Sequence, residues 1–178
     1  AADCGLRTTG RHRGSGGTTI LVAPEVEISE VRHRRLPVRW PDRTRGYAVA
    51  RVLLPGGPWV SIVSVHLGLR PEERIRHAEQ ILRSLAPPGP HIVCGDLNED
   101  SSGAAWRLID VPDRMRLVSP TTPTFPAKAP RRLLDVIFAS PELSPAEGLP
   151  VDLDAGDVRA ASDHRPVWVD LGPRRSAD

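Results

Sequence analysis

The sequence is poor in cysteine, aromatics and lysine, and it has no long apolar run. Cys4 and Cys94 are its only cysteines. One lies near a terminus and the other inside an apolar stretch, so there is no disulfide scaffold and no thiolate cluster for a metal. A zinc site at His91 and Cys94 is also disfavoured, because that spacing on a strand points the two side chains to opposite faces. Aromatic residues make up 4% of the chain. That leaves no stacking platform for single-stranded nucleic acid and no aromatic loop for membrane insertion. No stretch approaches the length of a membrane span, and no signal-peptide core is present, so the expected location is cytoplasmic. Lys128 is the sole lysine, an arginine bias typical of GC-rich coding sequence. With 24 basic and 22 acidic residues the net charge is +2, too near neutral to argue by itself for nucleic acid.

What is present is an ordinary globular composition, 39% hydrophobic and 26% charged over 178 residues, enough for one domain with a real core. Nineteen prolines imply many loops. Residues 1–17 are polar, basic and Gly-rich and read as a loose loop, residues 18–172 as the domain, and 173–178 as a tail. The β-branched run 18–22 (TTILV) predicts a strand. Val26, Ile28 and Val31 among charges predict a half-exposed one, and the arginine-rich stretch 32–45 a solvated loop. Residues 47–54 and 59–65 flank Pro55-Gly-Gly-Pro58 and predict a hairpin, whose second strand delivers His66. Residues 71–85 form the clearest helix. Pro71 suits its first turn, and Glu72 and Glu73 the positive end of its dipole. Ile75, Ala78, Ile81, Leu82 and Leu85 make the buried stripe, which leaves His77 on the surface. A short helix is expected over 103–109, with Trp106 inward. Residues 119–132 read as a long loop, 133–139 as a strand with Asp135 inside it, 141–161 as an acidic loop, and 167–171 as a final strand.

The most informative stretch is 91–100. Ile92, Val93 and Cys94 form an apolar run, Gly95 breaks it, and Asp96 and Asn98 follow. A buried strand running into a turn reads this way. Alone, these residues also make an ordinary Asx-rich turn. Other strand ends carry similar groups: His66, Asp135, and Asp163 with His164. Strand ends on one rim of a sheet can converge although far apart in sequence. Together these residues supply carboxylates for a divalent ion, an imidazole with an orienting carboxylate, and neutral donors for phosphoryl oxygens.

Val65-His-Leu67, Gly95-Asp-Leu-Asn98, Leu134-Asp-Val-Ile-Phe138 and Ser162-Asp-His-Arg-Pro-Val167 resemble, in order, the motifs of the endonuclease/exonuclease/phosphatase superfamily. The resemblance covers about residues 18–171. It implies an α/β fold, a four-layer α-β-β-α sandwich of two mixed sheets with the site at one end. It also implies a role for each residue. His164 resembles the catalytic histidine beside the scissile phosphate, with Asp135 fixing its ring. Asp96 resembles the carboxylate that orients the attacking water and can also hold metal, and Asn98 the donor to the phosphoryl oxygen. Asp163 resembles a metal or outer ligand, and His66 a phosphate donor or general acid. The implied ion is Mg²⁺ or Mn²⁺. The implied substrate is a phosphoester of nucleic acid, phospholipid or sugar phosphate, acted on by a monomer.

The chain departs from the family pattern at its start. The family opens with an Asn-bearing strand and a strand ending in Gln-Glu, and neither is found here. The expectation is an N-terminally truncated domain of marginal stability and low turnover. The competing expectation is an inactive remnant that binds phosphate or nucleic acid through the arginines of 32–45 or 70–83.

Overall fold

A computed structural model of the chain describes residues 17–42, 44–85, 89–148 and 151–174. Cys4 and most of the expected N-terminal loop and C-terminal tail lie outside them.

The hairpin forms as its sequence dictates. β2 (Arg45–Leu53) and β3 (Trp59–His66) pair antiparallel, with Tyr47 opposite Val65. Gly56, at φ 63°, takes the left-handed turn conformation that favours glycine. β1 (Ile28–Leu36) adds to the outside of β2. The helix α1 (Pro71–Ser84) then carries the chain across to β4 (His91–Asp96), which lies parallel to β3. A parallel neighbour requires such a crossover. After α2 (Ala104–Ile109), β5 (Arg116–Leu117) and β6 (Asp135–Ala139) complete a six-stranded mixed sheet in the order β1-β2-β3-β4-β6-β5. β7 (Leu143–Pro145) and β8 (Leu171–Pro173) form a second, two-stranded sheet. Between them in sequence lies α3 (Ala155–Ala161).

Alternation along the strands divides the large sheet into two faces. Val63, Val65, Val93, Val136 and Phe138 meet Ala78 and Ile81 of α1 and Trp106 and Ile109 of α2 in the main core. Trp106 stands edge-on to Phe138 at 5.3 Å. The opposite face carries Val60, Ile62, Ile92 and Ala139, which pack with Leu143 of β7 and Leu171 of β8. The second sheet therefore covers the face that the helices leave open. This is the mixed α/β, two-sheet architecture that the motifs imply.

Several local expectations are corrected. Residues 32–36 are not loop but the end of β1. Their arginines decorate an edge strand, where charge guards against further pairing. Residues 18–22 form no strand; they alternate between half-buried and exposed but have no ladder partner among the described residues. The final strand lies at Leu171–Pro173 and shares only Leu171 with the expected 167–171. Residues 141–161 hold β7 and α3 rather than one loop. Asp154 caps α3, its side chain accepting from Gly156 N at 2.7 Å and Asp157 N at 3.0 Å. Asp135 opens its strand rather than lying within it. His77 is fully buried, not on the surface. Its Nδ1 accepts from Gly68 N at 3.2 Å, so Nε2 carries the proton and donates to the Pro37 carbonyl at 2.6 Å.

Candidate active site

Strand register builds the site. β3 and β4 run parallel with His66 opposite Asp96, and β4 and β6 run antiparallel with Asp96 opposite Asp135. Three neighbouring strands thus present a histidine and two aspartates in one row across the rim. Directly opposed residues share a face of the sheet. Here it is the face away from Val65 and Val136, on the side of the second sheet. Gly95 makes the row possible. Its φ is 133°, and a Cβ there would overlap the Val65 carbonyl of the adjacent strand.

His164 reaches this row from the chain that follows α3. Its Nδ1 lies 2.7 Å from Asp135 Oδ2. Ligand atoms of Asp96, Asp135 and His164 all fall within 4.8 Å of one another. His66 Nε2 stands 3.3 Å from Asp96 Oδ2. Asn98 sits at the turn with φ 55°; its backbone N–H donates to Asp96 Oδ1 at 2.7 Å and its side-chain amide to the Leu67 carbonyl at 2.9 Å. That leaves one amide hydrogen of Asn98 for a ligand. Asp163 is exposed and its carboxylate lies outside the three-residue group. Its carbonyl accepts from Ala127 N at 2.7 Å, which anchors the segment that delivers His164.

Two contributors have no signal in the sequence pattern. Thr124 Oγ1 donates to Asp135 Oδ2 at 2.6 Å, so this carboxylate oxygen receives both the threonine and the histidine. The Phe125 ring lies 4.9 Å from the His164 ring, tilted by 47°. Both residues sit in a Pro- and Thr-rich loop with no periodicity to mark them. Beside them opens a groove of about 410 Å³, lined in part by Thr124, Leu153, Arg165 and Trp168.

The electrostatics separate the two histidines. Burial lowers the pKa of His66, the nearby Arg45 lowers it further, and Asp96 opposes them. At His164 burial is again the largest single influence and acts downward. It is outweighed by the Asp135 hydrogen bond and by the charges of Asp135, Asp96 and Asp163, so the net shift is upward. Asp96 is raised, first by burial and also by Asp135; the Asn98 N–H and His66 act against this. Two carboxylates, Asp96 and Asp135, at a half-buried rim fit a hard divalent cation. Such ions take one or two protein carboxylates and fill their remaining positions with water and phosphate oxygens.

The model of the endonuclease/exonuclease/phosphatase family matches residues 2–164. Among curated proteins no relative matches. Solved structures agree in fold. An endonuclease/exonuclease/phosphatase from Beutenbergia cavernae aligns at TM-score 0.65 and 21% identity, over 83% of this chain and 45% of that one. A mannosyl-6-phosphatase from Bacteroides thetaiotaomicron aligns at TM-score 0.65 and 17% identity, over 83% and 67%. D. rerio TDP2, complexed with a single-strand DNA product, aligns at TM-score 0.63 and 21% identity, over 83% and 68%. The chain therefore spans 45% of the first and about two thirds of the other two. With a family match over nearly its whole length and a fold shared with these structures, the chain belongs to the endonuclease/exonuclease/phosphatase family.

Proposed function

We propose that this chain carries the catalytic groups of a divalent-metal-dependent phosphoesterase. One observation supports the reading above the others: the in-register row His66–Asp96–Asp135 is completed by His164, which is bonded to Asp135 at 2.7 Å. Asp96 and Asp135 would hold Mg²⁺ or Mn²⁺, with Asp163 available as an outer ligand. When bound, the ion supplies Lewis-acid charge that offsets the negative charge on the phosphoryl oxygens.

The chain's own residues do the rest. Asp135 fixes the His164 ring through Nδ1, which leaves Nε2 as the nitrogen that faces substrate. An N–H at Nε2 is then a donor to a phosphoryl oxygen that gains charge. Asp96 orients the attacking water and accepts its proton. Asn98 donates its free amide hydrogen to the same phosphoryl group. His66, beside Asp96, donates to phosphate or to the leaving oxygen.

The test is hydrolysis of bis(4-nitrophenyl) phosphate by this chain with Mg²⁺ or Mn²⁺, paired with Mn²⁺ binding by calorimetry. The expected result is turnover abolished by a chelator and lowered about 10²–10³-fold by Asp96→Asn or His164→Asn. Asp96→Asn should also weaken Mn²⁺ binding. Turnover that persists without metal or in Asp96→Asn would overturn the proposal. Salt-dependent binding of DNA or RNA without turnover or Mn²⁺ binding would replace it with a binding module.

A further inference from the structure

Behind the rim lies a second set of charges. Arg74, in the first turn of α1, donates from Nε to Glu99 Oε2 at 2.6 Å, with side chains 12% and 7% exposed. Glu99 directly follows Asn98. Each partner is pinned by another bond. Arg74 Nη1 donates to the Leu69 carbonyl at 2.6 Å, in the loop after His66. Glu99 Oε1 accepts from Trp106 N at 2.7 Å, in the first turn of α2. The pair thus spans the two loops that leave the rim. Nearer the rim the same loops meet again, Leu67 N donating to the Asp96 carbonyl at 2.9 Å and the Asn98 amide to the Leu67 carbonyl at 2.9 Å.

A buried ion pair is weak evidence for stability, because desolvation offsets most of its attraction. What this one holds is a conformation. Asn98, at φ 55°, occupies the sparsely populated left-handed region. Before it, Asp96 Oδ1 accepts its backbone N–H; after it, Glu99 is anchored at both oxygens. Gly103 points the same way. Its φ −74° and ψ 153° admit any residue, yet a methyl group there would overlap the Glu99 carboxylate. Glycine at 103 leaves the space that the carboxylate fills.

We propose that Arg74 and Glu99 are positioning residues that hold the Asn98 amide in its donor orientation and lock the loop after His66 to the loop after Asp96. The catalytic half of this inference rests on the function proposed above; the structural half does not. The experiment compares Glu99→Gln, Arg74→Gln, the double variant, Arg74→Lys and Gly103→Ala with the parent chain. Thermal unfolding reports the fold. Steady-state hydrolysis of bis(4-nitrophenyl) phosphate separates kcat from KM, and ¹⁵N NMR reads the Asn98 side-chain amide. Misplacing a reacting group by about 1 Å can cost roughly 10²-fold in rate. The expected result for Glu99→Gln is therefore a kcat lower by about 10–100-fold, KM changed by less than about twofold, and a shifted Asn98 amide resonance. The double variant should lose no more than either single, because both act through one clamp. Arg74→Lys should recover part of the rate. Gly103→Ala, which removes no charge, should reproduce Glu99→Gln, and it carries the test if Glu99→Gln fails to fold. The proposal is overturned if the Asn98 amide stays put in the folded variants, or if rates fall only in proportion to thermal stability. A parent chain without turnover refutes the phosphoesterase reading alone, and the NMR comparison then decides the structural half.

Discussion

Thr124→Val tests whether the candidate dyad is supported from outside the strand that carries it. Thr124 is buried, and its hydroxyl makes three bonds: it donates to Asp135 Oδ2 at 2.6 Å and accepts from Leu134 N and Asp135 N, each at 3.2 Å. Valine keeps the shape and the main-chain bonds of residue 124 itself, to the Arg132 carbonyl and from Arg165 N, and puts a methyl in place of the hydroxyl. A hydrogen bond to a charged group contributes roughly 1.5–3 kcal/mol. The Asp135 side chain is 21% exposed, so water can replace part of this and the lower end of the range applies. Two backbone donors then lose their acceptor. Each could cost about 1–3 kcal/mol if fully orphaned, but both bonds are long and share one oxygen, so about 1 kcal/mol for the two together is reasonable. The added methyl returns somewhat under about 1 kcal/mol. The net expectation is a loss of about 2 kcal/mol. In urea, with a slope near 2 kcal/mol/M, the midpoint should fall by about 1 M at unchanged slope. Thr124→Ser, which keeps the hydroxyl, should fall by about half as much. A Thr124→Val midpoint within about 0.25 M of the parent would refute the reasoning, for the hydroxyl would then hold nothing that water does not.

Three further outcomes are expected. Gly95→Ala should be among the most disruptive single changes, because the new Cβ meets the Val65 carbonyl and φ 133° is strained for alanine; a folded variant with parental thermal stability would contradict this. The Cys94 thiol, pushed up to about 11 by burial, should resist iodoacetamide at pH 8 in the native chain and react once unfolded; rapid native labelling would show that the strand opens. Burial also lowers the pKa of His77, against the pull of its Pro37 carbonyl bond. The unfolded state then takes the proton first, so this contribution to stability is present above the unfolded value of about 6.5 and is lost as pH falls below it, levelling off once the folded pKa is passed. His66 and His91 act in the same direction and His164 in the opposite one. The loss of urea midpoint between pH 7 and 5.5 should therefore be shallower in His77→Leu than in the parent; an unchanged slope would exclude His77.

The hairpin and α1 were legible because short-range patterns determine them: β-branched runs around a Pro-Gly turn, and an apolar stripe behind an N-terminal proline. The polar ends of strands were legible too, since His66 and Asp96 each terminate an apolar run. That they form one row was not, because register across three strands is a tertiary fact. His77 shows the limit most plainly. Helical periodicity sorts residues by hydropathy, so it sends a histidine outward, whereas the fold supplies an amide and a carbonyl that satisfy a neutral ring inside. Thr124, Arg74 and Glu99 escaped for the same reason. Their partners lie 11, 25 and 25 residues away, and no spacing rule connects them. α3 was missed because none of its residues is buried, so its only local sign was the Asp154 cap.

The β-branched run 18–22 and the first four residues of the expected strand 167–171 make no ladder among the described residues, yet their burial alternates. Thr18, Ile20 and Val22 are half-buried while Thr19 and Leu21 are exposed, and Val167 and Val169 are half-buried while Trp168 and Asp170 are exposed. Alternation of this kind records whether something covers one face of an extended segment. A ladder records something independent, whether another backbone lies alongside in the plane of the sheet. Sequence periodicity carries the first kind of information and none of the second. Local composition and spacing therefore mark such segments as strand-like without supplying the neighbours that would make them sheet. The same distinction separates the three polar strand ends, which sequence marks one at a time, from the His66–Asp96–Asp135 row, which exists only because β3, β4 and β6 are edge-to-edge neighbours in that register.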